Sequence, residues 1–200
     1  MNGMGERDEL LMLAVRDGDV PKLGLLFDRH HRVLFDYFAR MTGDRAAAED
    51  LVQDVFFRML KYRKTYRDDS RFTAWMFHIA RNARIDHHKK RRGEVMFPEE
   101  GMEVPSRSPF PNQELEQQQE TALLQRALFK LSEEKREVLV LSRYQEMKYE
   151  QIAELLGCEV GTVKVRVHRA IRELREVFFK LSGEKASWNA KKSETSLRII

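Results

Sequence analysis

Apolar residues recur every three to four positions along most of the chain, which is the spacing of one face of an α-helix. The segment RAAAEDLVQDVFFRMLK (45–61) is a clear example, because Leu51 and Val55 repeat at this interval and Asp44 precedes it as a capping residue. The stretch EVLVL (137–141) resembles a strand by itself, but its flanks favour a helix. The pattern therefore predicts an all-α fold.

The same pattern predicts where the helices end. A glycine or a capping residue interrupts the apolar spacing, and a proline fits the first turn of a helix. Ser132 is the expected cap of a helix in the second half of the chain. In the first half we expect helices at residues 8–16, from Pro21 to about Gly43, at 45–61, and from a cap at Asp69 or Ser70 into the run HHKKRR.

Prolines divide the chain into two parts. Four of the five prolines lie between Pro98 and Pro111, and such a stretch favours an extended linker over regular structure. We therefore predict two small helical domains at residues 8–92 and 113–182, an acidic, proline-rich linker at 93–112 and a poorly ordered tail at 183–200.

Charge is distributed unevenly along the chain. The net charge is only +4, but residues 81–92 hold six Lys/Arg against one Asp, and residues 161–180 hold six Lys/Arg against two Glu. Between them, residues 93–120 hold seven Glu against one Arg. Two basic segments joined by an acidic one indicate two contacts with a polyanion such as nucleic acid.

Several functional classes find no support in the sequence. The single cysteine, Cys158, leaves no intramolecular disulfide and fits a reducing compartment. His87 and His88 adjoin without further ligands at metal-binding spacing, and no phosphate-binding glycine loop or nucleophile motif occurs. No apolar run reaches the length of a membrane span, and the N-terminus lacks a secretory pattern. We expect a soluble, cytoplasmic protein without metal, cofactor or catalytic activity of its own.

Residues 149–174, YEQIAELLGCEVGTVKVRVHRAIREL, have the spacing of a helix-turn-helix. Ala153 lets the second helix approach the first, Gly157 suits a left-handed turn, and Val163 packs back onto the first helix. Thr162 and the N–H groups that begin the second helix can hold a phosphate. The opposite face of that helix carries the cations that suit the DNA major groove, namely Lys164, Arg166, His168, Arg169 and Arg172.

Long blocks of the chain resemble the extracytoplasmic function group of bacterial sigma factors. The block LSEEKREVLVLSRYQEMKYEQIAELLGCEVGTVKVRVHRAIREL is similar to region 4 of that family. The blocks AEDLVQDVFFRMLK and FTAWMFHIARNARIDHHKKRR, in this order, are similar to region 2. The resemblance covers about residues 8–92 and 115–178. It implies a protein that binds core RNA polymerase, recognises two promoter elements and helps to open the duplex.

For region 4, the resemblance implies contact with the β flap of the polymerase and recognition of the −35 element. Val165 departs from the small polar residue common at its place and cannot form a side-chain hydrogen bond, so the −35 sequence stays open. The implied −35 contacts are Thr162, Lys164, Arg166, His168 and Arg169.

For region 2, the resemblance implies docking on the coiled coil of the β′ subunit and capture of an unstacked −10 base. An acidic stripe over an apolar helix face also suits a basic helical partner by itself. Asn82 can hydrogen-bond a base edge and an aromatic ring can stack on an exposed base, whereas Trp75 is assigned to the core. The implied polymerase contacts are Glu49, Asp50, Gln53 and Asp54. The implied −10 contacts are Tyr66, Arg67, Asp68, Asp69, Arg81, Asn82, Arg84 and Asp86.

The family further implies an anti-sigma partner that covers the polymerase-binding surfaces. It also implies a path for the acidic linker through the polymerase, although a solvated tether explains the linker's charge equally well. Two other functions stay open. A repressor or activator would use only the helix-turn-helix and would leave the segment RNARIDHHKKRR without a role. A decoy that sequesters an anti-sigma factor would not need the basic faces that this chain retains.

Overall fold

A computed structural model describes residues 7–94 and 113–182 of the chain. Every regular element within these two ranges is helical, which confirms the all-α prediction. The chain divides into two compact units, residues 1–100 and 101–200. The predicted tail and nearly all of the predicted linker lie outside the described residues. The domain bounds at 92 and 113 therefore stay predictions.

Between residues 7 and 94, the first unit contains four α-helices and one short 3₁₀ turn. The helices are α1 (Asp8–Asp17), α2 (Lys22–Thr42), α3 (Arg45–Lys61) and α4 (Phe72–Glu94), and the 3₁₀ turn is Arg63–Thr65. As predicted, Gly43 ends α2 in the left-handed conformation, with φ 74°. The Asp44 carboxylate caps α3, also as predicted, because it accepts from the Ala47 N–H at 3.1 Å.

The start of α4 differs from the prediction. Neither Asp69 nor Ser70 caps this helix; the Phe72 N–H instead donates to a carboxylate oxygen of Glu9, in α1, at 3.4 Å. Asp69 pairs with its near neighbour Arg67, at 3.3 Å. The cap of α4 is therefore a contact between distant parts of the chain, which local spacing in the sequence does not reveal.

A core of apolar and aromatic side chains joins α2, α3 and α4. Tyr37 and Phe38 of α2 and Phe77 of α4 are buried, and the Tyr37 ring centroid lies 5.2 Å from Phe38 and 5.4 Å from Phe77. Leu51 and Val55, on the predicted apolar face of α3, are buried as well. Each large side chain buried in this way contributes about 1.5–3 kcal/mol. The core thereby turns the opposite, carboxylate-bearing face of α3 toward solvent.

Between residues 113 and 182, the second unit contains four more α-helices. They are α5 (Gln113–Lys130), α6 (Glu133–Leu139), which continues as a π-helical turn at Val140–Tyr144, α7 (Tyr149–Leu156) and α8 (Val160–Ser182). Ser132 precedes α6, but its side chain makes no capping hydrogen bond, so that part of the prediction is wrong. The guanidinium of Arg136 instead closes the α5–α6 junction, because it donates to the carbonyls of Leu128, Phe129 and Leu131 at 3.0–3.3 Å.

The predicted helix-turn-helix is formed by α7 and α8. Gly157 ends α7 with φ 64° and ψ 41°, a left-handed conformation that other residues adopt only at a cost. A Cβ built at this position would meet no atom within 4 Å, so the backbone conformation and not crowding calls for glycine. Ile152, Ala153 and Val163 are buried at the junction of the two helices. This packing leaves the other side of α8 open to solvent.

Candidate functional site

The outer face of α8 is cationic. Lys164, His168 and Arg169 are exposed and Arg166 is half-buried, whereas Val163, Val167, Ala170 and Leu174 point inward and are buried. Lys164, Arg166 and Arg169 form no ion pair with any other residue of the described ranges. Arg172 has only a weak, exposed pair with Glu176, at 3.9 Å. These side chains are free to meet an external anion.

The structure limits the contacts that two residues of the predicted −35 surface can make. The Thr162 N–H donates to the Glu159 carbonyl at 2.9 Å, so of Thr162 only the hydroxyl is left to hold a phosphate. Val165 is 49% exposed in the middle of the cationic face. An exposed valine there can contact a thymine methyl group, but it cannot hydrogen-bond a base edge.

A second candidate surface lies on α3. Glu49, Asp50 and Gln53 are exposed, and Asp54 is partly covered. The sequence interpretation missed Phe57, which follows Asp50, Gln53 and Asp54 by seven, four and three positions and so lies on the same helix face. Its side chain is 65% exposed, more than any other large apolar side chain in the described ranges. The α3 surface (Glu49, Asp50, Gln53, Asp54, Phe57) is thus an aromatic ring surrounded by acidic and amide groups.

Phe57 could have been found in the sequence from its register. The core face of α3 includes Val52, Phe56 and Met59, and Phe57 falls outside that arc. A large apolar residue in register with carboxylates is a signal for an interaction surface, because hydrophobic burial gives no reason for it within the unit.

Arg58 connects the α3 surface with α4. Its guanidinium donates to Asp54 at 2.9 Å and to Asp86 at 2.7 Å. Partial burial opposes the charge on Arg58, but the hydrogen bonds that its guanidinium donates to Asp86 and Asp54 outweigh this effect and raise the pKa of Arg58. One cation thereby joins a predicted polymerase contact, Asp54, to a predicted −10 contact, Asp86.

The predicted −10 loop separates into exposed and buried residues. Arg67, Asp68 and Asp69 are exposed, but Tyr66 is only 2% exposed. The Tyr66 hydroxyl donates to the Ser70 carbonyl at 2.9 Å. The prediction that Tyr66 stacks on a base is therefore wrong for this structure, because its ring is part of the core. Burial, with the nearby charges of Glu9 and Asp8, raises the pKa of Tyr66 to about 12.

The ring of Trp75 helps to bury Tyr66. The two ring centroids are 5.1 Å apart in an edge-to-face arrangement, and Trp75 is half-buried. This packing agrees with the assignment of Trp75 to the core.

On α4, the structure distinguishes between the four predicted −10 residues. Asn82 and Asp86 are exposed and one turn apart on the same face, about 15 and 21 Å along the helix from Phe72. Arg81 is half-buried. Arg84 is 5% exposed, and this burial contradicts its place among the implied −10 contacts. Position 84 follows the buried residues Phe77 and Ala80 by seven and four positions, which places Arg84 on the core face.

The described residues contain neither a metal-binding cluster nor a membrane-spanning helix. Within residues 7–94 and 113–182, no three His, Cys, Asp or Glu side chains come together in a way that could hold a metal ion. No helix of the described ranges is both long enough and apolar enough to cross a membrane.

Comparison with protein families gives each unit a counterpart. The family model for sigma-70 region 2 matches residues 26–94, and the model for sigma-70 region 4 matches residues 121–174. The two matches contain the α3 surface, the −10 loop, α4 and the helix-turn-helix. The chain has the two conserved regions of a sigma-70-type transcription initiation factor.

Individual relatives indicate the group of sigma factors to which the chain is similar. SigL of Mycobacterium tuberculosis, an ECF RNA polymerase sigma factor, is 38% identical over 152 residues, which are 75% of this chain and 85% of SigL. SigE of Mycolicibacterium smegmatis, another ECF sigma factor, is 34% identical over 80% of this chain, and the match spans 61% of SigE. The sigma factor RpoE, solved with the anti-sigma factor NepR from Bartonella quintana, has a TM-score of 0.62 at 26% identity, over 82% of this chain and 98% of RpoE. The chain belongs to the ECF RNA polymerase sigma factors.

Proposed function

We propose that this chain binds core RNA polymerase, directs it to promoters through −35 and −10 elements, and helps to open the duplex. The observation that carries the proposal is the presence in one chain of two matched regions with opposite surface chemistry. The α3 surface is acidic with an aromatic centre, and the outer face of α8 is cationic. A protein of this kind acts where the polymerase and DNA are, in the cytoplasm, and it serves as an initiation factor, with catalysis left to the polymerase.

The outer face of α8 reads the −35 element. Lys164 and Arg169 are exposed and Arg166 is half-buried at the flank of the same helix, and their long side chains reach guanine edges or flanking phosphates. His168 and the Thr162 hydroxyl lie on the same helix and add contacts at the edge of the groove. Val165 contributes an apolar contact, which favours a thymine methyl group opposite it. Contact of the second unit with the β flap accompanies this docking.

The α3 surface docks on the coiled coil of the β′ subunit. Tight interfaces commonly place an aromatic residue at the centre and polar residues at the rim, and Phe57 has this position relative to Asp50, Gln53 and Asp54. The carboxylates then favour a basic partner by electrostatic complementarity and orient it. Among the described residues, Asp54 is the one member of this surface that forms an ion pair, with Arg58.

The −10 element is met by the loop before α4 and by α4 itself. Arg67, Asp68 and Asp69 are exposed at the loop, and Asn82 and Asp86 are exposed further along the helix. The separation of these groups along α4 favours contact with several nucleotides of the opened strand. Asp86 approaches nucleic acid as half of an ion pair, because Arg58 neutralises it at 2.7 Å.

An anti-sigma factor is the proposed regulator. RpoE, whose fold is similar over 82% of this chain, was solved in complex with the anti-sigma factor NepR. The exposed Phe57 and its carboxylates form a surface that the polymerase and an anti-sigma protein would both need. We expect the two partners to compete for it.

Co-purification with core polymerase tests the proposal. The double variant Glu49→Lys, Asp50→Lys reverses two exposed charges of the α3 surface and leaves the Asp54–Arg58 pair intact. It should release the polymerase, because a basic partner now meets like charge. The matched control Asp28→Lys, Asp36→Lys makes the same charge change at exposed positions of α2 and should retain the polymerase. Equal retention of polymerase by both double variants would remove this interface from the proposal. A wild-type chain that binds DNA as a homodimer and ignores the polymerase would overturn the function.

A further inference from the structure

Helix α1 lies outside the part of the chain that matches sigma-70 region 2, which begins at residue 26. Even so, two of its side chains reach the −10 loop. Glu9 and Arg16 are seven residues apart and therefore lie on one face of α1. Arg16 contacts the beginning of the segment 66–72, and Glu9 contacts its end.

Arg16 holds the beginning of the loop through two groups. One guanidinium nitrogen, Nη1, donates to the Tyr66 carbonyl at 3.4 Å and also pairs with the Asp68 carboxylate. The other edge of the guanidinium donates to Asp17 at 2.9 and 3.3 Å, which fixes the plane of the group. The hydrogen bonds that Arg16 donates to Asp17 and then to Asp68 raise the pKa of Arg16, and the bond with Arg16 lowers the pKa of Asp17.

Glu9 holds the end of the loop. Its carboxylate accepts from the Phe72 N–H at 3.4 Å, where the free N–H groups and the positive end of the α4 dipole favour an anion. Phe72 is fully buried, so this end of the loop is anchored in the core. Between the two ends, the Tyr66 hydroxyl bonds to the Ser70 carbonyl.

We propose that α1 is a brace that pre-forms the −10 loop, with Arg16 as its main positioning residue. The inference rests on the proposed role of that loop in −10 recognition. Arg16 fixes the backbone at Tyr66 and orients Asp68, while Arg67 and Asp69 stay exposed for the nucleic acid. Because the loop is already ordered, less conformational entropy is lost when a base is captured. Arg16 also offsets the negative charge of Asp68, which would otherwise repel phosphates.

Base discrimination at the −10 element tests the brace. Holoenzyme formed from the full chain and core polymerase is given a cognate promoter and one with a substituted −10 base, and the ratio of open complexes is measured. Arg16→Gln should lower this ratio by about 2- to 10-fold, the value of one or two lost hydrogen bonds. Arg16→Lys, which keeps the charge, should restore part of it. The double variant Asp68→Asn, Arg16→Gln should lower the ratio little more than the more affected single variant does, because both changes remove the same interaction.

The control is Arg29→Gln. Arg29 also joins α1 to its surroundings, through a 2.7 Å pair with Asp8, but its partner is not in the loop. A drop in the ratio as large for Arg29→Gln as for Arg16→Gln would show general loosening of α1 and would overturn the brace. Wild-type discrimination in Arg16→Gln would overturn it too, while the function proposed for the loop would survive. A wild-type holoenzyme with no −10 discrimination would overturn both.

Discussion

Lys164 and Arg169 are two of the four Lys and Arg side chains that we assign to the DNA-facing side of α8. The other two are Arg166 and Arg172. The double variant Lys164→Ala, Arg169→Ala removes two of the four charges. Both residues are exposed and neither forms an ion pair with another described residue, so the fold of the second unit should be unaffected.

The expected size of the effect follows from counterion release. If each of the four cations neutralises one phosphate, they contribute a slope of about −3.6 to the plot of log affinity against log salt, and the variant retains about −1.8. Between 50 and 200 mM salt, this part of the affinity should fall about 150-fold in the wild type and about 12-fold in the variant. Contacts made elsewhere by the polymerase add the same slope to both proteins, so the difference of about 1.8 is the quantity to measure.

Promoter binding by holoenzyme, measured by fluorescence anisotropy over this salt range, gives the two slopes. Arg126→Ala with Lys130→Ala removes the same charge from exposed positions of α5 and should leave the slope at the wild-type value. If the Lys164, Arg169 variant has the wild-type slope, then the outer face of α8 does not face the DNA backbone, and the assignment of the recognition helix is wrong.

Three further changes test single residues. Phe57→Ala should weaken polymerase binding by about 1–2 kcal/mol or more, as for a central aromatic anchor, and should leave the stability of the fold unchanged. Leu25→Ala, at another exposed apolar position, should change neither polymerase affinity nor stability, and equal losses of affinity in the two variants would refute the role of Phe57 as an anchor. Gly157→Ala should destabilise the second unit by about 1 kcal/mol in denaturant unfolding, because φ is positive there, and unchanged stability would contradict that reason. Tyr66→Phe tests the raised pKa of Tyr66. Because the fold favours the protonated hydroxyl, the free energy of unfolding of the wild type should fall by up to ~2–3 kcal/mol between pH 10 and 12, and that of the variant should not. Parallel plots of unfolding free energy against pH would contradict the burial of this hydroxyl.

Helix periodicity was a sufficient guide to the fold. Asp44 and Gly43 act locally, through a cap and a left-handed turn, so their sequence signals translate directly into structure. The turn at Gly157 was predictable for the same reason, because its left-handed conformation is a local property of the chain. The cap of α4 escaped prediction because its acceptor, Glu9, lies 63 positions away in the chain.

The candidate site was predictable in its outline but not in the burial of single side chains. Tyr66 and Arg84 have residue types that suit nucleic acid, but tertiary packing buries Tyr66, and Arg84 lies in register with the buried Phe77 and Ala80. Phe57 is the converse, an exposed aromatic residue that its register on α3, and not its residue type, assigns to a surface. The link that Arg58 makes between α3 and α4 likewise depends on a tertiary contact, because its partner Asp86 is 28 positions away in the chain.

Run-off transcription with purified core polymerase and mapped start sites is the decisive measurement. Addition of this chain should convert unselective initiation into initiation at a defined set of promoters. The Glu49→Lys, Asp50→Lys variant should abolish the effect, and the Lys164→Ala, Arg169→Ala variant should lose most of the selectivity for the −35 element. If the polymerase initiates as unselectively with the wild-type chain as without it, the proposed function is contradicted.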